Sequence, residues 1–374
     1  MTPLPSDVTG TATTTKAAVA GVLLLVAAIA VVVAGPALDG PGADATDGRN
    51  GRDDPDVVVE DVAGERTVTV TYSTANGTHR FVVEDVDPAL VDARRNWAYL
   101  PRSALPPALE RVAGNHAAGV VPAGDWALVG DLNGAFAREG NASVHVVAPA
   151  GEDVDPARKA GFLAAFTGPY ALVHDENATD AEPVTLIVAP DALPAAGVMY
   201  DDAGYVTQHA FWDGEVSSVW IHEYVHAKRN VALGPSMRWF SEASATYFSI
   251  RMLEEQFEGV TEGDVRDRLA VIDDHEDTPL SSRAAWEDTH ADYDRGAKLL
   301  YVVDAAVRTG SDGDHTVVDV FRAMNRHGGP ITVEEFVRIV ERFSGEDEAW
   351  LHRAITEGGD LDALVEESGD AFED

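Results

Sequence analysis

Residues 216–229 read VSSVWIHEYVHAKR, and this stretch has the apolar periodicity of an α-helix. It carries His222 and His226, which lie one helical turn apart, so that both imidazoles project from the same face. This spacing allows two neutral imidazole nitrogens to bind one Zn²⁺ at ~2.0–2.1 Å, with Glu223 one residue further round the helix. The stretch therefore predicts a zinc site built on a helix.

A second helix is predicted after the Gly234-Pro235 turn, over residues 237–257, MRWFSEASATYFSIRMLEEQF. Two helices joined by a tight turn can face each other, which places Glu242 opposite the histidine pair. A zinc site of the catalytic type needs three protein ligands and one open position, so Glu242 is the predicted third ligand. A purely structural zinc is the alternative. It is disfavoured because a closed site needs a fourth protein ligand, usually Cys, and the chain has no cysteine.

Together the two stretches resemble the gluzincin clan of metallopeptidases, which carries His-Glu-x-x-His followed by a downstream Glu. More narrowly, they are similar to the MA-like catalytic domains of the aminopeptidase N and glycyl aminopeptidase families. The W-x-x-E-G/A-x-A-x-Y-F type helix of those families matches residues 239–248, and their later Tyr-x-x-Gly element matches YDRG at residues 293–296. The resemblance covers residues 180–360, about half of the chain.

This resemblance implies a mostly helical zincin (thermolysin-like) catalytic domain that binds one Zn²⁺ per chain and acts on a peptide or protein. His222, His226 and Glu242 would hold the metal. Glu223 would take the proton of a water activated by the metal and pass it to the leaving amine. Tyr293 would donate a hydrogen bond to the developing oxyanion. The alternative for Tyr293 is a side chain that only packs between helices.

Two features depart from the aminopeptidase N pattern. Fifteen residues, 227–241, separate the last His from the Glu, where that family has eighteen. The family's Gly-x-Met-Glu-Asn strand, whose Glu anchors the free amine of the substrate, has its nearest match in GVMYD at residues 197–201, with Tyr200 in place of the Glu. Aminopeptidase specificity is therefore not predicted, although Asp201 or Asp202 could replace the missing carboxylate.

The GVMYD element is nevertheless expected to form an edge strand along which an extended peptide pairs. Gly197, Met199 and Tyr200 are the predicted substrate-binding residues on this strand.

The N-terminal part of the chain contains a long apolar segment, AAVAGVLLLVAAIAVVVAG at residues 17–35. As a helix it would span ~28 Å, close to the thickness of the hydrocarbon core of a bilayer. The segment predicts a single-pass membrane anchor, and Lys16 just before it favours an N-terminus inside and a catalytic domain outside the cell. A signal segment that is cleaved to release a secreted protein is the alternative.

The chain divides by composition into four regions. Residues 1–35 form the anchor or signal segment, 36–56 a Gly/Pro/Asp-rich linker, 57–140 a β-rich region, and 141–374 the zincin domain with a helical C-terminal part. Within them we expect a hairpin from strands at 66–73 and 79–86, strands at 143–147 and 184–188 around a helix at 156–170, and helices after residue 217. The fold class is therefore α+β.

The composition of the 374 residues excludes several functions. The chain has 27 basic and 64 acidic side chains and a net charge of −37, which argues against nucleic-acid binding. Such acidity resembles that of halophilic archaeal proteins, in which molar salt screens the self-repulsion of the surface. The alternative is an acidic surface that only confers solubility.

These observations predict a zinc-dependent metallopeptidase that acts at the outer surface of a halophile. The alternative is a peptidase-like surface protein that binds peptides or proteins without cleaving them.

Overall fold

The computed structural model describes residues 57–62, 66–74, 77–111, 118–172, 183–193, 195–208, 217–256, 259–271, 275 and 277–372. The predicted membrane segment at 17–35 and the linker at 36–56 lie outside these residues. In the part of the chain that is described, no helix combines the length and the apolar character needed to cross a membrane.

The N-terminal region is built from two antiparallel sheets. The first has the order β1-β2-β3, and the second has the order β4-β5-β7-β6, with a short helix α1 (Pro107–Glu110) between β5 and β6. Strands β2 and β3 form the predicted hairpin, which is confirmed. The strands are β1 (Val57–Val62), β2 (Thr67–Thr74), β3 (Gly77–Val83), β4 (Val91–Asp92), β5 (Trp97–Pro101), β6 (Val120–Ala123) and β7 (Trp126–Gly130).

A five-stranded mixed sheet follows, with the order β11-β12-β10-β9-β8. Strands β9, β10 and β12 run parallel, whereas β8 and β11 pair antiparallel to their neighbours. Helix α2 (Pro156–Thr167) connects β9 to β10, and its N-terminus is capped by the Asp155 carboxylate. The strands are β8 (Leu132–Glu139), β9 (Ala142–Pro149), β10 (Val184–Ala189), β11 (Gly197–Tyr200) and β12 (Ala203–Thr207). The predicted strands at 143–147 and 184–188 and the helix between them are thereby confirmed.

The start of this sheet lies before the predicted domain boundary at residue 140. Strand β8 pairs with β9 along its whole length, from Leu132 opposite Pro149 to Glu139 opposite Ala142. It therefore belongs to the same sheet as β9 to β12, which begins at Leu132.

The C-terminal half is helical, as predicted, and the mixed α+β class is confirmed. The predicted turn at Gly234-Pro235 lies between the helices Val219–Lys228 and Phe240–Gln256. The helices are α3 (Val219–Lys228), α4 (Phe240–Gln256), α5 (Glu262–Val271), α6 (Arg283–Trp286), α7 (Asp294–Gly310), α8 (Val317–Asn325), α9 (Val333–Ser344), α10 (Ala349–Thr356) and α11 (Asp362–Ser368).

Helices α4 and α7 approach each other closely at Gly296. A Cβ atom at this position would lie 2.5 Å from the Cβ of Ala243, which is closer than packed side chains allow. It would also lie 3.4 Å from the ring of Trp239. Trp239 is fully buried, and its ring makes edge contacts with Phe240 and Phe336. The absence of a side chain at Gly296 therefore allows α4, which carries Glu242, to lie close to the start of α7.

Replacing Gly296 with Ala is expected to lower the free energy of unfolding by about 1–3 kcal/mol, because the added methyl group must displace α4. Urea unfolding followed by circular dichroism measures the change. The matched control is Gly161→Ala in α2, where a Cβ meets no atom within 4 Å. This control is expected to stabilise the protein by up to about 1 kcal/mol, since Gly weakens helix interiors. Equal unfolding energies for the two variants would contradict the close approach.

Candidate active site

Helix α3 presents the two predicted metal-binding histidines. The helix begins after Ser218, whose hydroxyl accepts a hydrogen bond from the Ile221 N–H, and one turn later it carries His222 and His226 on the same face. Their Nε2 atoms lie 3.0 Å apart. Burial lowers the pKa of His222, so this imidazole is held in the neutral form that binds metals.

Glu242 reaches the same point from the first turn of α4. A 3₁₀ turn at Pro235–Met237 reverses the chain, and the Glu242 Oε2 atom then lies 3.3 Å from His222 Nε2 and 3.2 Å from His226 Nε2. Burial alone would raise the pKa of this carboxyl. The hydrogen bonds from the two imidazoles outweigh burial and hold the pKa well below its usual value. The group is therefore an anion between two imidazoles.

The separations of these three atoms can be compared with those of a zinc site. Tetrahedral ligands with bonds of ~2.0–2.1 Å lie about 3.3 Å from one another. The three donor atoms are separated by 3.0–3.3 Å, so one Zn²⁺ fits them with shifts of a few tenths of an ångström. Among the described residues, they are the cluster of His, Cys, Asp and Glu side chains that could hold a metal ion. Two imidazoles and one carboxylate are the donor set of a catalytic zinc centre, which keeps one position open.

Glu223 is placed beside this centre without taking part in it. Its side chain is only 5 % exposed, and burial raises the pKa of the carboxyl to about 7. The charge of Glu242 adds to this rise, and His226 opposes it. A carboxyl with a pKa near neutrality can both accept and return a proton, which is the requirement for a general base that later acts as an acid.

The carboxylate of Glu223 is confined by the backbone of Gly197 in strand β11. A Cβ atom built at Gly197 would lie 2.5 Å from Glu223 Oε1 and 2.8 Å from its Cγ. Glycine therefore leaves the space that this carboxylate occupies.

Replacing Gly197 with Ala is expected to lower kcat about 100-fold, because a displacement of about 1 Å at a reacting group has an effect of this size. The free energy of unfolding should change little, since the atoms that must move are the flexible end of a side chain. Steady-state kinetics measure kcat, and urea unfolding measures the free energy of unfolding. Gly161→Ala is again the control and should retain the wild-type kcat. A wild-type kcat for Gly197→Ala would show that the confinement has no catalytic consequence.

Tyr293 lies on the other side of the histidines, directly before α7. Its ring is stacked on that of His222, with centroids 5.8 Å apart and planes inclined by 6°, and it lines the cleft. Burial and the charge of Glu242 raise the pKa of the phenol well above 10, so it stays protonated and able to donate. The neighbouring Asp292 is 8 % exposed, and burial together with Glu242 raises its pKa to about 6. The sequence reasoning missed Asp292.

A cleft of about 840 Å³ opens over these groups. Strand β11 forms one wall, and it is one of the two edge strands of the five-stranded sheet among the described strands. Besides the metal-site residues, Glu223 and Tyr293, the described lining comprises Ala195, Gly197, Val198, Met199, Asp201, Asp202, Ala227, Arg229, Asn230 and Ser241.

The structure separates the three predicted substrate-binding residues. Gly197 and Met199 line the cleft, whereas Tyr200 is not among the lining residues. Tyr200 packs together with Val198 against the buried cluster of the N-terminal region, and Val198 also borders the cleft. Its ring lies over Gly124, where an added Cβ would be 2.2 Å from the ring. The Tyr200 side chain therefore packs against the N-terminal region at this position, and its contact with substrate stays a prediction.

No protein-family model and no curated protein matches the chain. Solved structures do match. An aminopeptidase N family protein from Idiomarina loihiensis is 13% identical over 83% of this chain and 68% of its own, with a TM-score of 0.56. The two proteins have a similar fold. An M1 zinc metallopeptidase from Deinococcus radiodurans is 19% identical over 62% of this chain, with a TM-score of 0.42. The aligned part of this chain spans 54% of the Deinococcus protein, about half of its length.

Proposed function

We propose that the protein is a zinc-dependent metallopeptidase that hydrolyses peptide bonds. The observation that carries this proposal is the convergence of His222, His226 and Glu242 at 3.0–3.3 Å in a cleft that also holds a buried carboxyl and a protonated phenol. These groups supply a metal site, a base and a hydrogen-bond donor within one cavity.

The chemistry assigns a separate task to each group. His222, His226 and Glu242 would hold a Zn²⁺, which would supply a Lewis acid for the scissile carbonyl and would lower the pKa of water to about 7. Glu223 accepts the proton of the attacking water and returns it to the leaving amine. The Tyr293 hydroxyl donates a hydrogen bond to the oxyanion that develops on the carbonyl oxygen. Gly197 keeps the space in which the Glu223 carboxylate moves between these two proton transfers.

The edge strand supports a peptide as substrate. Strand β11 pairs with β12 on one side, and its other side faces no described strand. An extended peptide can add to such an edge through backbone hydrogen bonds. Gly197 and Met199 would contact the substrate, and Tyr200 would hold the strand against the N-terminal region.

We also propose that the protein works at the outer surface of a halophilic archaeal cell, anchored through residues 17–35 or secreted after cleavage of that segment. The apolar length of this segment and the net charge of −37 support the proposal.

The free energy of unfolding is expected to rise by several kcal/mol between ~0.1 M and ~3 M KCl, because salt screens the repulsion among the surface carboxylates. Urea unfolding at a series of KCl concentrations measures it. Sucrose of equal osmolality is the control, since it stabilises proteins without screening charge. A free energy that does not change with KCl would contradict the halophilic proposal.

The first experiment measures the metal content of the full chain and the hydrolysis of a peptide mixture in ~3 M KCl, where charge repulsion is screened. One zinc per chain with cleavage that a chelator abolishes and zinc restores is the expected result. Zinc without cleavage would favour a protein that only binds peptides, and a folded protein without zinc would refute the metal site.

A further inference from the structure

The cleft is lined by several carboxylates and one guanidinium. Among the described lining residues, Asp201, Asp202, Glu223 and Glu242 are acidic, and Arg229 is the basic side chain that accompanies them. Arg229 follows α3 directly, three residues after His226. The chain has 64 acidic side chains, so a cation inside the cleft has many possible ion-pair partners. The hydrogen bonds that Arg229 does form therefore show whether its charge is already paired within the protein.

Most N–H donors of the Arg229 side chain form no hydrogen bond with the described residues. The guanidinium has five N–H donors. One terminal nitrogen donates to the Val231 carbonyl oxygen at 3.4 Å, and Nε is buried without a hydrogen-bond partner. No carboxylate oxygen of the described residues lies within 4.0 Å of an Arg229 nitrogen, so the guanidinium forms no ion pair with them. Burial lowers the pKa of the guanidinium, and the more distant charge of Glu242 raises it. A bound metal would neutralise that carboxylate, which leaves the guanidinium without a counter-ion.

The backbone on both sides of Arg229 is fixed by helix α8. The Asn325 side chain donates to the Lys228 carbonyl oxygen at 3.0 Å and accepts from the Asn230 N–H at 2.9 Å. The next residues are tied to the segment after α8, because Ile331 N–H donates to the Ala232 carbonyl and Gly234 N–H donates to that of Ile331, both at 2.8 Å. The chain around the guanidinium is therefore anchored, which keeps the cost of ordering it on binding a ligand small.

We infer that Arg229 binds a carboxylate of the substrate within the cleft, an inference that rests on the proposed peptidase function. A guanidinium matches a carboxylate with two parallel hydrogen bonds, and such charge-assisted pairs discriminate strongly against neutral analogues. The carboxylate belongs either to the C-terminus of a short peptide or to an Asp or Glu side chain near the scissile bond. The protein then prefers substrates that carry this group.

The experiment uses a peptide that the wild-type protein cleaves, prepared in matched forms. One pair differs only in a free or amidated C-terminus, and a second pair differs in Asp or Asn next to the scissile bond. The wild type is expected to favour the carboxylate form of one pair by about 10- to 100-fold in kcat/KM, the range of hydrogen bonds to charged groups. Arg229→Gln should lose that preference, so that its kcat/KM values for the carboxylate and the neutral form of the pair become equal. The pair that responds identifies the source of the carboxylate.

The control is Arg283→Gln, which removes an exposed guanidinium outside the cleft and should leave the preference intact. A preference that persists in Arg229→Gln would place the carboxylate elsewhere, for example on the metal, and would overturn the inference. A wild-type protein without any preference would overturn it as well.

A binding measurement separates this inference from the proposed function. Calorimetry compares N-acetyl-alanyl-alanine with its C-terminal amide, and N-acetyl-aspartyl-alanine amide with its asparaginyl analogue, on Glu223→Gln with and without Arg229→Gln. A preference for the carboxylate ligand that disappears when Arg229→Gln is added supports the inference, even if no peptide is cleaved. In that case only the peptidase proposal fails. Equal affinities for all four ligands in both proteins would refute the carboxylate site while leaving catalysis to be judged by hydrolysis.

Discussion

Glu223→Gln is expected to lower kcat by about 10²- to 10⁴-fold, the usual contribution of a general base. The amide has the shape of the carboxyl group but cannot take a proton from water. Zinc content should stay at one per chain, because this side chain is not one of the three converging ligands. Initial rates on a peptide substrate, together with metal analysis of the same samples, measure both quantities.

Glu334→Gln on α9 is the matched control for this change. It is the same substitution at a side chain that is 67% exposed and outside the cleft, so kcat should not change. If Glu223→Gln with full zinc retained the wild-type kcat, Glu223 would not be the base, whatever its pKa.

Glu242→Gln is expected to weaken zinc binding more than about 100-fold. Loss of a residue that only hydrogen-bonds to a metal ligand costs about 10- to 100-fold, and this substitution removes a charged ligand itself. Activity should disappear at limiting zinc and return in part when zinc is added in excess. Competition with a chelator of known affinity gives the dissociation constant, and Glu334→Gln is again the control.

The two substitutions in the site therefore have opposite signatures. Glu223→Gln keeps the metal and loses turnover, whereas Glu242→Gln loses the metal first. If Glu242→Gln bound zinc with the wild-type affinity, Glu242 would not be a metal ligand. The spacing of fifteen residues between His226 and Glu242 would then have no explanation in metal binding.

Local periodicity was sufficient to anticipate much of the site. The spacing of His222 and His226 fixes their common face on any regular helix, and the Gly234-Pro235 turn allows α4 to fold back towards α3. The same reasoning, applied with a period of two, separates Gly197 and Met199 from Tyr200 on strand β11.

Other features depend on contacts between distant parts of the chain. The pairing of β8 with β9 decides where the five-stranded sheet begins. Arg229 is a helix-terminal arginine in the sequence. Its position in the cleft depends on Asn325, which lies 96 positions later in the numbering. Asp292 is one of many acidic residues until folding buries it beside the metal site.

The pairing of Ile331 with Ala232 and Gly234 also bears on the order in which the protein is synthesised and assembled. Both histidines and Glu242 leave the ribosome well before Ile331, so the turn between the two ligand-bearing helices is still without its partner when they emerge. Contacts this distant in sequence form late, because the intervening chain must first be ordered. The metal-binding geometry is therefore expected to mature only after translation has passed the α8–α9 connection, which makes it a product of the whole helical half.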